Sequence, residues 1–436
     1  MKIIIETLGC PKNVNDSEVA AGILERAGHE ITDGLAAADA VIVNTCGFIN
    51  DAKKESIDKI FEVAQDKNEN TLLIVSGCLS ERYKEELYKQ MPEVDIFLGV
   101  NDYANLPVIL EKYSGKREKH FSDYEKVFCE VAQRKLGRDV YSATIKIAEG
   151  CDNSCAYCVI PSIRGAYRSR AREDIIKEAR FLAEQGCKEL ILIAQDVTAY
   201  GMDLYGEFAL AGLVKDLCQI EKIQWIRLMY CYEDRITDEL IEIMRTQPKV
   251  CKYIDIPIQH CDDKILKAMG RRSTQKSIEN TIQKLRDAMP EIHIRTTLIT
   301  GFPGEGKEEF EALLNFIEEM KFERLGVFAY SKEEGTPAAS MKNQVRSNTK
   351  EMRKNSLLLK QLDISLAHNT KKIGQTLSVL VEGEDGENTY MGRTMYDAPE
   401  IDNSVIFTAH KNCKPGDIIN VKIIDAFDYD LVGEEI

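Results

Sequence analysis

The stretch Glu149-Gly-Cys-Asp-Asn-Ser-Cys-Ala-Tyr-Cys-Val-Ile-Pro161 places three cysteines, Cys151, Cys155 and Cys158, close together in the chain. Three thiolates at this spacing can hold three irons of a [4Fe–4S] cluster, whereas ferredoxin clusters use four cysteines. No fourth cysteine follows within the next twenty residues. We therefore expect one iron to be open to a ligand from outside the protein, which indicates a catalytic cluster rather than an electron carrier or a cluster scaffold.

Strand and helix patterns alternate on the C-terminal side of this stretch. Short apolar runs typical of strands are separated by amphipathic segments typical of helices. Six such βα units predict a partial barrel rather than the closed eight-unit form. The strand runs are 144–148, 189–194, 225–229, 253–257, 293–299 and 325–330, and the clearest helical segments are 173–184, 237–245 and 307–320.

The first hundred residues show the same alternation. This order of elements predicts a doubly wound parallel sheet with helices on both faces, so the chain is of the α/β class. The expected strands are 2–8, 40–45, 71–76 and 95–98, and the expected helices are 16–27, 50–65 and 80–90.

The C-terminal part has a different pattern. A charged helical segment, 349–366, is followed by short strand-like runs at 375–382, 389–394, 404–409 and 417–425. These runs predict a small all-β barrel, similar to an OB-fold. We therefore divide the chain into an N-terminal domain (1–113), a linker of mixed charge (114–140), a central barrel domain (141–368) and a C-terminal barrel (369–436).

Composition limits the possible classes of protein. The chain has 436 residues, of which 44% are hydrophobic and 30% charged, which is typical of several globular domains. No apolar run is long enough to cross a membrane, and the N-terminus does not resemble a signal peptide, so we expect a cytoplasmic protein. The thirteen cysteines then favour metal ligation or catalysis over disulfides. The net charge of −15 favours a cationic partner.

A second set of cysteines occupies equivalent positions in the N-terminal sheet. Cys10, Cys46 and Cys78 each follow a predicted strand by one or two residues. The carboxyl ends of parallel strands lie at one edge of a sheet, so these cysteines should converge. A single such cysteine is more often a small buried apolar residue, but three in the same position predict a second three-cysteine cluster. The other seven are interpreted as structural or incidental: Cys129, Cys187, Cys218, Cys231, Cys251, Cys261 and Cys413.

These motifs resemble those of a known superfamily. Cys-x-x-x-Cys-x-x-Cys, with Tyr157 before the last cysteine, resembles the radical S-adenosylmethionine (SAM) enzymes. Asn-Thr-Cys46 and Gly-Cys78 resemble the methylthiotransferase branch, and the resemblance covers essentially the whole chain. It implies a methylthiotransferase N-terminal domain, a radical SAM core and a TRAM domain. Two longer stretches carry the same resemblance: Leu8-Gly-Cys10-Pro-Lys-Asn13-x-x-Asp16-Ser-Glu18 and Ile-Pro161-x-x-Arg-Gly165-x-x-Arg-Ser-Arg170.

The family acts either on ribosomal protein uS12 or on tRNA adenosine. Cys10-Pro-Lys-Asn13 resembles the uS12 branch rather than the Cys-Gln-Met-Asn of the tRNA isopentenyladenosine branch. Ala329-Tyr-Ser-Lys-Glu-Glu-Gly-Thr-Pro-Ala338 lacks the basic residue and Pro that usually precede Gly-Thr-Pro in the tRNA branch. Glu233 departs from the Tyr-x-Tyr-Pro of the uS12 branch, but we interpret it as lying outside the ligand sets. The alternative is the same chemistry on N6-isopentenyladenosine or threonylcarbamoyladenosine in tRNA.

Charge supports the protein substrate. Residues 371–436 hold six Lys and Arg against thirteen Asp and Glu, the reverse of what RNA phosphates require. We therefore expect the acidic TRAM domain to dock onto the basic protein uS12, free or in the small subunit, and do not expect RNA to be the main contact. The resemblance also implies an electron donor such as flavodoxin or ferredoxin.

The resemblance implies two [4Fe–4S] clusters and SAM as cofactors. The open iron held by Cys151, Cys155 and Cys158 would chelate SAM, whose reductive cleavage yields a 5′-deoxyadenosyl radical. The cluster at Cys10/Cys46/Cys78 would carry the sulfur that is methylated by a first SAM. The methylthio group would then replace a hydrogen on the β-carbon of a uS12 aspartate. No catalytic side chain beyond the cluster ligands is expected.

Four side chains are candidates for SAM contacts. Gln195 lies just past a strand end, Arg295 and Thr297 lie on the fifth barrel strand, and Tyr157 precedes Cys158. For the three residues on the barrel, a satisfied polar residue at the rim is an equally good interpretation.

A run of arginines follows the last cysteine of the triplet. Such runs usually form a solvated start of a helix. Alternatively, some of these arginines could neutralise the SAM carboxylate or an acidic substrate side chain. The run comprises Arg164, Arg168, Arg170 and Arg172.

Gly301-Phe-Pro-Gly-Glu-Gly306-Lys307-Glu308 matches G-x-x-x-x-G-K, but Glu308 stands where a P-loop needs Ser or Thr for Mg²⁺. The carboxylate would also repel phosphate, so nucleotide triphosphate binding is excluded. The segment instead resembles a turn of the family that lines the SAM pocket.

Overall fold

The structure is a computed structural model that describes residues 1–123, 134–137 and 140–436. The chain forms two compact units. The first comprises residues 1–138, 144–153 and 158–181, and the second comprises 139–143, 154–157 and 182–436. Cys151 and Cys158 therefore belong to the first unit and Cys155 to the second. None of the helices in the described part of the chain is both long and apolar enough to cross a membrane.

The first unit contains a six-stranded sheet in the order β2-β1-β3-β4-β5-β6, with every neighbouring pair parallel. The four predicted strands are confirmed, and two short edge strands were missed. One of them, β6, lies in the predicted linker, and 124–133 and 138–139 of that linker fall outside the described residues. The elements are β1 (Lys2–Thr7), α1 (Pro11–Arg26), β2 (Glu30–Ile31), β3 (Ala40–Thr45), α2 (Asn50–Asp66), β4 (Leu72–Gly77), α3 (Cys78–Gln90), β5 (Ile96–Leu98), α4 (Leu106–Lys112) and β6 (Glu118–His120).

Helices cover both faces of this sheet, as the doubly wound prediction requires. Val41 and Val43 of β3 pack in one core with α2 and α3. Ile42, between them, points into the other core, formed with α1 and α4. A central parallel strand is buried on both faces, which is why β3 is an unbroken apolar run at its start.

The remaining part of the first unit consists of the chain segments before and after the residues 154–157. Its two-residue strands β8 and β9 pair in antiparallel fashion. The short helix α5 begins two residues after Cys158, with Val159 at its N-cap. The elements here are β7 (Ser142–Lys146), which begins in the second unit, β8 (Ala148–Glu149), α5 (Ile160–Arg164), β9 (Arg168–Ser169) and α6 (Arg172–Glu184), which ends in the second unit.

The central sheet has the order β14-β13-β12-β11-β10-β7. All six predicted strands are present, with ends displaced by at most three residues, so the partial (βα)6 barrel is confirmed. The elements are β10 (Glu189–Ile193), α7 (Met202–Tyr205), α8 (Leu210–Leu217), β11 (Trp225–Leu228), α9 (Asp238–Thr246), β12 (Val250–Asp255), α10 (Asp263–Ala268), α11 (Gln275–Ala288), β13 (His293–Thr300), α12 (Lys307–Met320) and β14 (Arg324–Ala329).

The second unit ends in a closed barrel of five strands in the order β15-β16-β17-β19-β18. The small all-β barrel is confirmed, although the sequence indicated only four strands and missed the last one. Its interior is apolar, with Val379, Tyr390 and Phe407 among the buried residues. The elements are α13 (Ser347–Thr370), β15 (Thr376–Gly386), β16 (Thr389–Thr394), β17 (Val405–Thr408), β18 (Ile418–Ala426) and β19 (Leu431–Glu435).

A buried ion cluster joins the C-terminal barrel to the central sheet. Arg393 of β16 forms a two-bonded ion pair with Glu189 of β10, and Arg227 of β11 donates to the same carboxylate at 2.9 Å. Burial acts to raise the pKa of Glu189, but Arg393 and Arg227 outweigh it and lower that pKa to about 2. Arg227 also donates to the carbonyl oxygen of Met395. Glu189 is therefore a charged anchor between the two parts of the second unit.

Candidate functional site

Three cysteines of the first unit lie at the carboxyl ends of neighbouring strands. Cys46 follows β3 directly, Cys78 follows β4 directly, and Cys10 comes three residues after β1. Burial raises the pKa of Cys46 and Cys78, and a negative charge on Cys10 at the same edge of the sheet would add to the rise at both. The expected convergence is confirmed, and the role of these residues as iron ligands stays a prediction.

The backbone around these cysteines is packed closely. Gly9 has φ +91°, and a Cβ at that position would lie 2.6 Å from the Cys46 Cβ and 2.9 Å from its Sγ. Ser56 holds Cys46 from the other side, because its Oγ accepts from the Cys46 amide at 3.0 Å and donates to the Cys46 carbonyl at 2.9 Å. Cys46 is thus fixed through its main chain.

We predict that Gly9→Ala lowers the iron bound at Cys10/Cys46/Cys78, because the added methyl group would displace Cys46. Gly28→Ala is the matched control: Gly28 has φ +88°, but a Cβ there would meet nothing within 4 Å. Both changes cost about 1 kcal/mol of left-handed strain, so only the collision distinguishes them. Iron and sulfide per chain are the measurement. Equal iron contents in the two variants would contradict the prediction.

The thiols of Cys46 and Cys78 are buried, so forming a thiolate at either position carries a cost. Burial raises the pKa of Cys46, and it raises the pKa of Cys78 to about 11 although Arg164 acts against that rise. Metal ligation requires the thiolate, so a compensating positive charge must be nearby. Within 1–123, 134–137 and 140–436, no three His, Cys, Asp or Glu side chains are arranged to hold one metal ion. Ligands of a cubane bind different irons and need not meet at one point.

In the first unit, the two outer cysteines of the triplet are held by local hydrogen bonds. The Cys151 amide donates to the Gly165 carbonyl at 3.1 Å. The side-chain amide of Asn153 lies 3.5 Å from the Cys151 sulfur, and the Ile160 amide donates to the Cys158 sulfur at 3.4 Å. These N–H groups would favour the thiolate form of either sulfur.

In the second unit, Cys155 contacts a residue that the sequence did not indicate. The hydroxyl of Tyr232 lies 2.9 Å from the Cys155 sulfur. Arg271 stacks on the Tyr232 ring at 4.3 Å and donates to Glu233 at 2.8 Å. Glu233 was interpreted as lying outside the ligand sets, and in the structure its buried carboxylate holds the arginine that packs on Tyr232. Tyr232 lies four residues past β11, and nothing local in the sequence marks it as a neighbour of Cys155.

The predicted SAM contacts occupy varied surroundings in the second unit. Gln195 lies two residues past β10. Arg295 donates to Asp255 at 3.1 Å and to Thr297 Oγ1 at 3.2 Å, and it is 3.3 Å from Asp402 of the C-terminal barrel. The ring of Tyr157 packs edge-on against Phe302. The role of these residues in SAM binding stays a prediction.

In the turn at 301–306, the backbone amides of Gly301 and Gly306 already donate to carboxylates and are not free to bind an anion. The Gly301 amide donates to the carboxylate of Glu305 at 2.8 Å, and the Gly306 amide donates to Glu309 at 2.8 Å. Arg353 donates to the other oxygen of Glu305 at 2.6 Å. Carboxylates thus take the amides that phosphates would need, in agreement with the exclusion of nucleotide triphosphates.

The arginine run is only partly a solvated start of a helix. Arg164 and Arg170 are buried, and Arg170 pairs with Glu178 at 2.5 Å. Arg164 bonds Asp16, Glu149, Asn13 and Cys78. The solvated interpretation is therefore wrong for these two residues, because their partners are brought in by the tertiary fold.

The cysteines interpreted as structural are consistent with that role. Within the described residues no cysteine forms a disulfide, and Cys129 lies outside them. Cys187 donates to the Glu189 carbonyl at 3.0 Å. The buried members of this set are Cys187, Cys218, Cys231, Cys251, Cys261 and Cys413.

An open βα sheet with a cysteine triplet after its first strand is typical of a radical SAM protein. The family model described as the radical SAM superfamily matches residues 145–317. The model described as uncharacterized protein family UPF0004 matches residues 2–99, and that of the TRAM domain matches residues 373–436.

Proteins that are similar over the full length of this chain identify the family within the radical SAM class. A protein of Acetivibrio thermocellus is 48% identical over 446 residues, covering 100% of this chain and 98% of its own length. One of Desulforamulus reducens is 49% identical over 434 residues, covering 98% of each. Both are named ribosomal protein uS12 methylthiotransferase RimO. The chain therefore belongs to the RimO family of radical SAM methylthiotransferases, and the resemblance found in the sequence is confirmed.

Solved structures share the fold at low identity. The radical SAM methyltransferase TsrM from Kitasatospora setae, with cobalamin and a [4Fe-4S] cluster bound, has a TM-score of 0.59 and 13% identity, covering 77% of this chain and 76% of its own. The cobalamin-dependent radical enzyme OxsB, with aqua-cobalamin and SAM bound, has a TM-score of 0.55 and 14% identity, covering 83% of this chain and 56% of its own. At this identity they support the fold alone.

Proposed function

We propose that this chain is a SAM-dependent transferase that adds a methylthio group to the β-carbon of an aspartate in ribosomal protein uS12. The observation that carries the proposal is the full-length identity of 48–49% to RimO proteins. Methylthiotransfer to tRNA adenosine is not favoured, since the related full-length proteins carry the uS12 name.

Six cysteines would hold the cofactors. Cys151, Cys155 and Cys158 would hold one [4Fe–4S] cluster with an iron left for SAM, and Cys10, Cys46 and Cys78 would hold a second. When bound, these groups supply the reductive cleavage of SAM and the sulfur that is methylated. The fit is supported by thiols at three neighbouring strand ends and by N–H groups directed at Cys151 and Cys158.

The chain's own side chains would then position the reacting groups. The Tyr232 hydroxyl would donate to the Cys155 thiolate and stabilise its charge. Tyr157, Gln195, Arg295 and Thr297 would contact SAM. Arg295 is already oriented by Asp255, so its guanidinium would need little rearrangement to serve a ligand.

The partner proposal rests on charge. Glu384, Asp385 and Glu387 are exposed at the β15–β16 hairpin of the acidic C-terminal barrel. A basic ribosomal protein would be attracted to this hairpin, and an RNA would be repelled from it. We infer that uS12, free or in the small subunit, docks here in the cytoplasm, and that a flavodoxin or ferredoxin supplies electrons.

We predict that Glu384→Lys, Asp385→Lys and Glu387→Lys together weaken binding to purified uS12 by roughly tenfold or more, because complementary charge becomes like charge. The matched control reverses three exposed acids of α12, Glu308, Glu318 and Glu319, and so changes net charge equally. Binding is measured by titration at low and physiological salt. An equal loss in both variants would mean that net charge, and not this hairpin, governs the encounter.

The experiment that tests the activity compares two substrates in one strain. The protein is produced in a cell lacking its own uS12 methylthiotransferase, and both uS12 and digested tRNA are analysed by mass spectrometry. We expect one methylthio group on a uS12 aspartate and no new mark on tRNA. A mark on tRNA alone would overturn the proposal.

A further inference from the structure

Two of the motifs that carry the family resemblance meet in the first unit. The stretch from Cys10 to Asp16 and the stretch from Pro161 to Gly165 are almost 150 residues apart in the chain. Cluster ligation accounts for the cysteines but not for Arg164. This arginine is the last residue of α5 and is 2% exposed.

The guanidinium of Arg164 contacts two carboxylates, one amide oxygen and one sulfur. Its Nη1 donates to Asp16 at 2.7 Å and to Glu149 at 3.3 Å. Its Nη2 donates to the side-chain oxygen of Asn13 at 2.9 Å and lies 3.3 Å from the sulfur of Cys78. The positively charged side chain of Arg164 thus directs an N–H group at Cys78, which is a predicted cluster ligand.

The buried charged groups around Arg164 sum to zero before Cys78 is counted. Lys146 bonds both Asp16 and Glu149, so two cations and two carboxylates sum to zero. A Cys78 sulfur bound to iron adds one negative charge at a buried position, where an unpaired charge is costly. Its hydrogen bond to Nη2 is the charge-assisted contact that offsets this cost.

The helix that carries Arg164 also follows the cysteine triplet. Val159, next to Cys158, is the N-cap of α5, and the Ile160 amide donates to the Cys158 sulfur. Val159 and Ile163 pack with Cys78 in one apolar cluster. Within the first unit, one five-residue helix thus contacts Cys158 at its start and Cys78 at its end.

We propose that Arg164 is a positioning residue of the Cys10/Cys46/Cys78 site, which stabilises its cluster through the Nη2–Sγ contact to Cys78 and ties that cluster to the helix that follows Cys158. The inference rests on the proposed function, since it requires an iron–sulfur cluster on these cysteines. Hydrogen bonds to sulfur and nearby positive charge favour the reduced, more negative cluster. Loss of Arg164 therefore lowers the reduction potential of this cluster.

The test uses the full chain with Cys151, Cys155 and Cys158 replaced by Ala, so that only one cluster is present. In this background Arg164→Met and Arg164→Lys are compared by iron content, circular dichroism and a redox titration followed by electron paramagnetic resonance. We expect Arg164→Met to disfavour reduction about tenfold, a shift of about 59 mV to more negative potential for a one-electron couple. Arg164→Lys, which keeps the charge, should recover part of that shift.

The matched control is Arg170→Met in the same background. Arg170 is also buried in the first unit, but it bonds Glu178 and main-chain carbonyls. Its replacement should leave the potential unchanged even where stability falls. Iron loss in folded Arg164→Met, with iron retained in Arg170→Met, also supports the proposal.

Two results overturn the inference. One is an unchanged potential and iron content in Arg164→Met, and the other is an equal loss of iron and fold in the Arg164 and Arg170 variants. Absence of iron in the three-cysteine background itself would instead overturn the proposed second cluster, and the inference with it. The two failures are therefore distinguishable.

Discussion

Replacing Cys10, Cys46 and Cys78 with Ala is expected to lower the iron of the anaerobically purified chain from about eight atoms to about four, since each set of three cysteines can hold one cubane. The variant should still form 5′-deoxyadenosine from SAM after reduction, because Cys151, Cys155 and Cys158 are intact. It should place no methylthio group on uS12. This variant would therefore separate radical formation from sulfur transfer. It would assign radical formation to Cys151, Cys155 and Cys158, and sulfur transfer to Cys10, Cys46 and Cys78.

The reciprocal variant and a control complete this experiment. Cys151/Cys155/Cys158→Ala should also retain about four irons but form no 5′-deoxyadenosine. Replacement of three buried structural cysteines, Cys187, Cys218 and Cys251, should leave about eight irons. Four irons in both the unaltered chain and the Cys10/Cys46/Cys78 variant would remove the second cluster from the proposal.

Glu189→Gln is expected to lower the free energy of unfolding at neutral pH by about 3–5 kcal/mol, the usual cost of breaking a buried ion pair. The change leaves the guanidiniums of Arg393 and Arg227 buried without their shared carboxylate. Urea unfolding of the cluster-free chain measures this. The matched control is Glu242→Gln, which breaks the exposed pair with Arg245 and should have little effect.

The contribution of Glu189 to the free energy of unfolding should also depend on pH. The pKa of Glu189 is lowered from 4.5 to about 2 in the folded chain, so its ion pairs contribute fully above the unfolded pKa. That contribution, about 3 kcal/mol, is lost as pH falls through 4 towards 2. The difference between the unaltered chain and Glu189→Gln should therefore narrow in acid. A constant difference from about pH 7 to about pH 3 would show that Glu189 is not a charged anchor.

The fold was largely predictable because long βα elements carry their own periodicity. The six central strands were each recognised, with errors only at their ends. The strands that were missed, β2, β6, β9 and β19, have two, three, two and five residues. The strands β2, β6 and β9 are too short for a pattern of alternation, and each forms by pairing with one neighbouring strand. The strand β19 instead pairs on both sides and completes the closed barrel.

The cysteines of the candidate site were predictable for a different reason. Cys151, Cys155 and Cys158 are close in sequence, and Cys46 and Cys78 directly follow recognisable strands. Arg164 and Tyr232 were not predictable as neighbours of sulfur. Their partners Cys78 and Cys155 are 86 and 77 residues away, and no local pattern encodes a contact across that separation.

Arg295 is another residue whose distant contacts could not be predicted from the sequence. The sequence placed Arg295 at a strand position where it could bind SAM, and it is still proposed to do so. Only the folded chain brings Asp402, from the C-terminal barrel, to 3.3 Å from its guanidinium. A charged side chain on a barrel strand is thus held by a residue more than one hundred positions later.

The sequence by itself determined the chemistry of this protein: two sets of three thiols, an alternation of strands and helices, and the family to which they belong. These features are local, because covalent spacing and periodic burial are written in consecutive residues. The tertiary structure alone decided which charges surround the sulfurs and which ion pairs join the C-terminal barrel to the central sheet. Those contacts depend on packing between distant segments, where burial makes each unpaired charge costly and so selects its partner.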